Sequence, residues 1–146
     1  MRDKIIQFMS SICASLFAIL LCFGLLDFIW FSLISGEWYK TEMNGLLRES
    51  FIVWPWLIFY LMYGGVTFVL AVVANRDKSI YYAGIDGALL GLASYGAYNL
   101  TNFSILEGFT FYIMLIDWTW GVLLTSTTAM SGWYAFQLMR KDKATN

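Results

Sequence analysis

Long apolar runs, separated by short polar stretches, divide the chain into four blocks: Ile5 to Ser35, Phe51 to Ala74, Tyr81 to Phe103 and Phe109 to Met139. Each exceeds the roughly 20 residues that a helix needs to cross a hydrocarbon layer of about 30 Å. Backbone amides in lipid must be satisfied within their own segment, and these runs are too long and too uniformly apolar for the alternation of a barrel strand. The pattern therefore predicts an all-α integral membrane protein, an antiparallel bundle of four transmembrane helices forming a single membrane domain over residues 1–146. The first run far exceeds a signal-peptide core of about 7–15 residues and no A-x-A site follows it, so a retained span is expected. The longest connection, GEWYKTEMNGLLRES at 36–50, sets Trp38, Tyr39, Met43, Leu46 and Leu47 at near-helical spacing. It predicts a short amphipathic segment along the outer interface. Trp54, Pro55 and Trp56 open the second span as an aromatic belt, with proline in a first turn that tolerates it.

Within each span, positions three and four apart share a face. In the third span Gly84, Gly87, Gly91, Tyr95, Tyr98 or Asn99, and Asn102 form one stripe, small toward one end and polar toward the other. The second span offers Tyr60, Tyr63 or Gly64, Thr67, Ala71 and Ala74, and the fourth Asp117, Gly121, Thr125, Thr128 and Gly132. The first offers Gly24, Asp27 and Phe31, with Ser11, Ser15, Ala18 and Cys22 below. Small-xxx-small spacing such as GALLG at 87–91 lets helix backbones approach closely. The expected arrangement is tightly packed in its inner half and opens toward the outer leaflet into a polar chamber.

Composition agrees, with 60% hydrophobic and 13% charged residues and one proline, against about 25% charged in soluble domains. Lysine and arginine are unevenly placed. Arg2, Lys4, Arg76, Lys78, Arg140, Lys141 and Lys143 fall on one side, and only Lys40 and Arg48 on the other. The positive-inside rule then puts both termini in the cytoplasm. Such asymmetry argues against analogy with small four-span multidrug transporters that insert in both directions. Histidine is absent, which removes imidazole metal ligation and histidine acid–base chemistry. Cys13 and Cys22 lie about 13.5 Å apart along one helix, too far to bridge, and read as packing residues. A net charge of −1 gives no footprint for nucleic acid. No motif calls for a cofactor or a metal, and nothing identifies a nucleophile.

Asp27 and Asp117 both fall about 10 Å below the outer edge at 1.5 Å per residue. A carboxyl inside hydrocarbon costs about 2.5–3.5 kcal/mol and normally faces a partner or a cavity. Each begins a D-x-x-W, ending in Trp30 and Trp120, so the expected ligand-binding set is Asp27, Trp30, Tyr60, Tyr63, Tyr95, Tyr98, Asn99, Asn102, Asp117 and Trp120. The pair suits proton donation or the binding of a hydroxyl or a cation. The plain alternative is that each carboxyl hydrogen-bonds an indole or phenol on a neighbouring helix and holds the helices together. Glu107 is expected in solvent, and Asp86 in an interfacial ion pair with Arg76 or Lys78.

The stretches LDFIW at 26–30, Tyr39 with NGLL at 44–47, FYLMY at 59–63, YGAYNLTN at 95–102 and DWTWG at 117–121 resemble a family of small four-span bacterial membrane proteins. That family is a domain of unknown function, whose members carry LDxxW, FYxxY, YxxYDLTN and DxxWG in this order. The resemblance implies a bacterial inner membrane location. Where the family has aspartate after the second tyrosine this chain has Asn99, which implies that a proton or cation held there in relatives is handled differently here. Frequent neighbourhood with cyclopropane-fatty-acid-synthase-like genes implies a link to lipid or membrane-stress metabolism.

Three functions are compatible with these residues. The chamber binds, and in one version modifies, a lipid-like or isoprenoid-like amphiphile from the membrane. Alternatively the polar face joins a membrane-protein partner or a second copy of the chain, as a noncatalytic subunit or assembly factor. A small proton- or cation-coupled transporter is the third, opposed by the tight inner half.

Overall fold

The computed structural model describes residues 2–141, and every regular element among them is helical. Helix α1 (Arg2–Ile29) continues as a π-helical turn, Trp30–Ile34. The short α2 (Gly36–Glu42) follows, then α3 (Trp54–Thr67), extended by a π-helical turn Phe68–Val72 and a 3-10 turn Val73–Asn75. Helices α4 (Ile80–Ile105) and α5 (Phe111–Lys141) complete the chain. Pro55 lies in the first turn of α3, where its missing N–H would be unpaired in any case. Between α2 and α3 the backbone turns at Gly45, with φ +83°, a conformation that side chains with a Cβ rarely adopt. Two stretches, Arg2–Ile34 and Trp54–Asn75, are long and apolar enough to cross a membrane by length and composition.

Helix α5 packs most extensively, against α4 on one side and α1 on another. Glycine makes the α4–α5 approach close: a Cβ on Gly87 would stand 2.7 Å from the Thr125 carbonyl oxygen and from the Ala129 Cβ. The Ser126 hydroxyl donates to the Gly84 carbonyl at 2.9 Å, and Ser15 donates from α1 to Gly132 of α5 at 2.8 Å. Such small-residue contacts replace the hydrophobic driving force that lipid removes. Between them, Ile19, Phe68, Val72 and Phe136 form one buried cluster and Phe23, Tyr63 and Leu124 another. Outward, Phe17, Phe28, Leu33 and Leu61 are each at least 66% exposed. An apolar exterior of this kind requires an apolar surrounding.

The α5 stripe matches the buried face, since Asp117, Gly121, Thr125, Thr128 and Gly132 are all buried, and so are Gly84, Gly87, Gly91 and Asn99 of α4, where Tyr95 and Asn102 are half-buried. On the second span Tyr63, Gly64, Thr67 and Ala71 are buried, but the stripe's last position is corrected: Ala74 is exposed and Asn75 is buried instead, because the 3-10 turn Val73–Asn75 rotates the face. On α1 the expected stripe is corrected. The buried row there is Ser11, Ser15, Ile19, Phe23 and Asp27, whereas Gly24 is exposed and Ala18 and Cys22 are half-buried. The reason is that α1 supplies the knobs and its neighbours the holes: a Cβ at Gly132 would lie 2.5 Å from Ile19.

Gln7 of α1 donates to the Arg140 carbonyl of α5 at 2.8 Å, and Arg140 donates to Asp77 of the α3–α4 link at 2.7 Å. The start of α1, that link and the end of α5 therefore gather at one end, while α2 and the α4–α5 link lie at the other. Lys143 falls outside the described residues. The ion pair expected of Asp86 is not made among them. Asn75 donates to Asp86 at 2.5 Å and accepts from Lys78 at 3.0 Å, so a buried amide stands between acid and amine.

Candidate functional site

Asp27 sits in the last turn of α1 before the helix widens at Trp30, and Asp117 in the second turn of α5. Both are buried, and each carboxylate has its own donors. Tyr60 donates to Asp27 Oδ2 at 2.9 Å, and the Trp120 indole to its Oδ1 at 3.1 Å. Asn99 donates to Asp117 Oδ2 at 2.7 Å while also reaching the Tyr95 carbonyl at 3.0 Å. The other oxygen of Asp117 accepts the Tyr39 hydroxyl. The two carboxyls thus share no hydrogen bond. Beside Asp27, the Trp120 ring stacks on Trp30 with centroids 4.4 Å apart and planes within 4°.

The remaining expected residues divide. Tyr63 bonds Ser94 at 2.8 Å and Thr125 at 2.9 Å, one layer further in. Tyr95 packs edge-on against Tyr63, and its ring occupies the space that the absent side chain of Gly121 leaves. Tyr98 turns outward, 54% exposed, with its ring edge-on to Phe109. Asn102 is half-buried near the end of α4, where its backbone carbonyl accepts the Leu106 N–H at 2.9 Å.

Tyr39 is the member of the cluster that the hydrophobic pattern concealed. Its spacing places it among interfacial aromatics, yet it reaches in from α2 to close the coordination of Asp117. The one signal was its place in the motif series, between LDFIW and NGLL. Burial, together with the neighbouring Asp117 carboxylate, pushes the phenol well above its ordinary range, so Tyr39 acts as a donor. Helix α2 is held down by further contacts. Tyr39 and Met43 pack on Phe109, Ile113 and Met114, Thr110 donates to Glu42 at 2.7 Å, and Leu46 covers Gly108.

Two buried polar atoms in this cluster lack a hydrogen bond of good geometry among the described residues, the Trp30 indole N–H, which faces the Tyr39 hydroxyl, and the Asn99 side-chain carbonyl. An unpaired buried polar group costs about 1–3 kcal/mol. One is a donor and the other an acceptor, the complement of a hydroxyl or an amide. Of two surface cavities, one lies in a groove of Leu92, Trp118, Val122 and Leu123, and the other at the opposite end of the molecule. Neither is lined by Asp27 or Asp117.

A family described as a predicted membrane protein, DUF2177, matches the chain over residues 12–134. No curated protein and no solved structure matches it.

Proposed function

The chain belongs to the DUF2177 family of predicted membrane proteins, and we propose that it is a four-span antiparallel bundle that binds an amphiphile. In this reading both termini face the cytoplasm, and the polar head of a lipid-like or isoprenoid-like molecule is taken up in the outer-leaflet half, at Asp27, Asp117, Asn99, Trp30 and Trp120. The observation that carries the reading is the Tyr39 hydroxyl on Asp117. It is a hydroxyl donor delivered to a buried carboxylate by a short segment lying outside the long helices. A ligand hydroxyl takes its place when α2 lifts, donating to Asp117 in its turn. The Trp30 donor and Asn99 acceptor beside it, which lack well-formed hydrogen bonds, supply further contacts for the same head group. Aromatic walls from Tyr60, Tyr63 and Tyr95 suit an apolar stem, and Tyr98 and Asn102 stand toward the rim. The reading is of binding rather than of chemistry.

A role as a noncatalytic subunit draws support from a different observation, the satisfaction of both carboxylates by residues of the chain itself. A cluster that only holds helices together needs nothing more.

The two readings part on Tyr39→Phe. Competition between Tyr39 and a ligand hydroxyl predicts that this variant, purified gently, retains more amphiphile per chain by mass spectrometry than the wild type. Equal or lower retention in a folded variant counts against the displacement.

A further inference from the structure

At the end opposite the carboxyl cluster, a cavity of about 600 Å³ opens between the first turns of α1, the α3–α4 link and the last turns of α5. That size falls within the roughly 300–1,000 Å³ of small-molecule sites. Lys4, Arg76 and Arg140 line it together with the single carboxylate of Asp77, and Phe8 and Phe136 form an apolar wall. The two rings meet edge-on at 6.2 Å. Three cations against one anion leave the lining at 3 − 1 = +2.

The cations are not loosely strewn. Asp77 holds both guanidinium groups, Arg140 at 2.7 Å and Arg76 through Nε at 3.3 Å. Arg140 also donates to the Arg76 carbonyl at 3.2 Å, and its own carbonyl is fixed by Gln7. Arg76 and Arg140 keep further N–H donors for which the structure records no acceptor among the described residues, and a guanidinium fork fits two oxygens of a phosphate at once. The level is also right. In the proposed four-span arrangement, on which this point rests, the apolar runs of α1 and α5 begin and end beside the cavity, at Ile5 and Met139, at the depth of lipid phosphates.

We propose that this cavity is a second ligand site, which takes a phosphate group on Arg76, Arg140 and Lys4 with Phe8 and Phe136 against the apolar part of the same molecule. Basic pockets between membrane helices recognise anionic head groups in this manner. The site shares no residue with the Asp27–Asp117 cluster, so it stands or falls separately from the amphiphile reading.

The full chain in dodecyl maltoside is titrated with phosphatidylglycerol, with phosphatidylcholine, and with inorganic phosphate against chloride at equal ionic strength, binding being followed by native mass spectrometry and by the thermal midpoint. Saturable binding of phosphatidylglycerol over phosphatidylcholine is expected, weakened about fivefold by Lys4→Gln and by Arg76→Gln. Asp77→Asn removes the competing charge and tightens binding by a similar factor, a gain that misfolding does not produce. Binding of inorganic phosphate with the same variant pattern supports the site and assigns its ligand to the soluble phase. Failure of both phosphate sources to bind saturably, or equal binding by wild type and the two glutamine variants, overturns it.

Discussion

Replacing Gly87 by alanine tests whether the α4–α5 approach depends on glycine, and the structure supplies its own control. A Cβ at Gly87 falls 2.7 Å from the Ala129 Cβ and the Thr125 carbonyl oxygen and 3.1 Å from the Ser126 Cα. All three atoms belong to α5, and none is the tip of a flexible chain. Carbon atoms rest at about 3.5–4.0 Å, so α5 must retreat by nearly an ångström. Overpacking of this kind costs about 1–3 kcal/mol, and the retreat strains the Ser126–Gly84 hydrogen bond, worth about 0.5–1.5 kcal/mol. Gly24→Ala makes the same chemical change where nothing lies within 4 Å. The gain in helix propensity, about 1 kcal/mol, is common to both and cancels in the comparison. Gly87→Ala should therefore be less stable than Gly24→Ala by about 2–4 kcal/mol. At roughly 2–4 °C per kcal/mol the two midpoints should differ by about 5–15 °C, read by tryptophan fluorescence during thermal unfolding in mild detergent. Equal midpoints, or the lower one for Gly24→Ala, would refute the packing argument.

Two further outcomes concern the α3–α4 link and the orientation of the chain. The hydrogen bond from Arg140, with help from Arg76, holds the Asp77 carboxyl below its ordinary value of 3.8. A lowered acid stabilises the folded state fully above that ordinary value, and the contribution is lost as pH falls through the folded one. Amide exchange in the link at 76–79, corrected for intrinsic rates, should stay level from about pH 8 to 5 and quicken below about pH 4, and Asp77→Asn should abolish the step. Membrane orientation is tested by single cysteines at Glu37 and Asp77 in a chain lacking Cys13 and Cys22. An impermeant thiol reagent applied from outside should label the first and spare the second, and the reverse would invert the proposed topology.

Much of the fold was legible because lipid simplifies the problem. Apolar length locates the long helices, and the spacing of small and polar residues locates most of the buried faces of α3, α4 and α5, with Ala74 the miss beyond α3. The α1 face slipped because small residues were read as the packing row, whereas large Ile19 and Phe23 fill notches that only the partner helices reveal. Of the site, Asp27 meets Trp120 and Asn99 meets Asp117 as hydrogen-bonded neighbours, and all four belong to the set expected from sequence. Tyr39 did not, because a residue from a connecting segment reaches a buried carboxylate only through the path that the turn at Gly45 and the packing of Met43 impose. Asp86 illustrates a related limit. Its neighbours in depth are cations, but the side chain that touches it is the buried Asn75.

The central claim is that the two buried carboxyls anchor an amphiphile. It is tested most directly by purifying the wild type, Asp27→Asn and Asp117→Asn under the same gentle conditions and quantifying bound lipid per folded chain by mass spectrometry. A bound amphiphile is expected in the wild type and a clear loss in both variants, larger for Asp117→Asn because that carboxyl exchanges its Tyr39 donor for the ligand. The same molecule at the same occupancy in all three would contradict it.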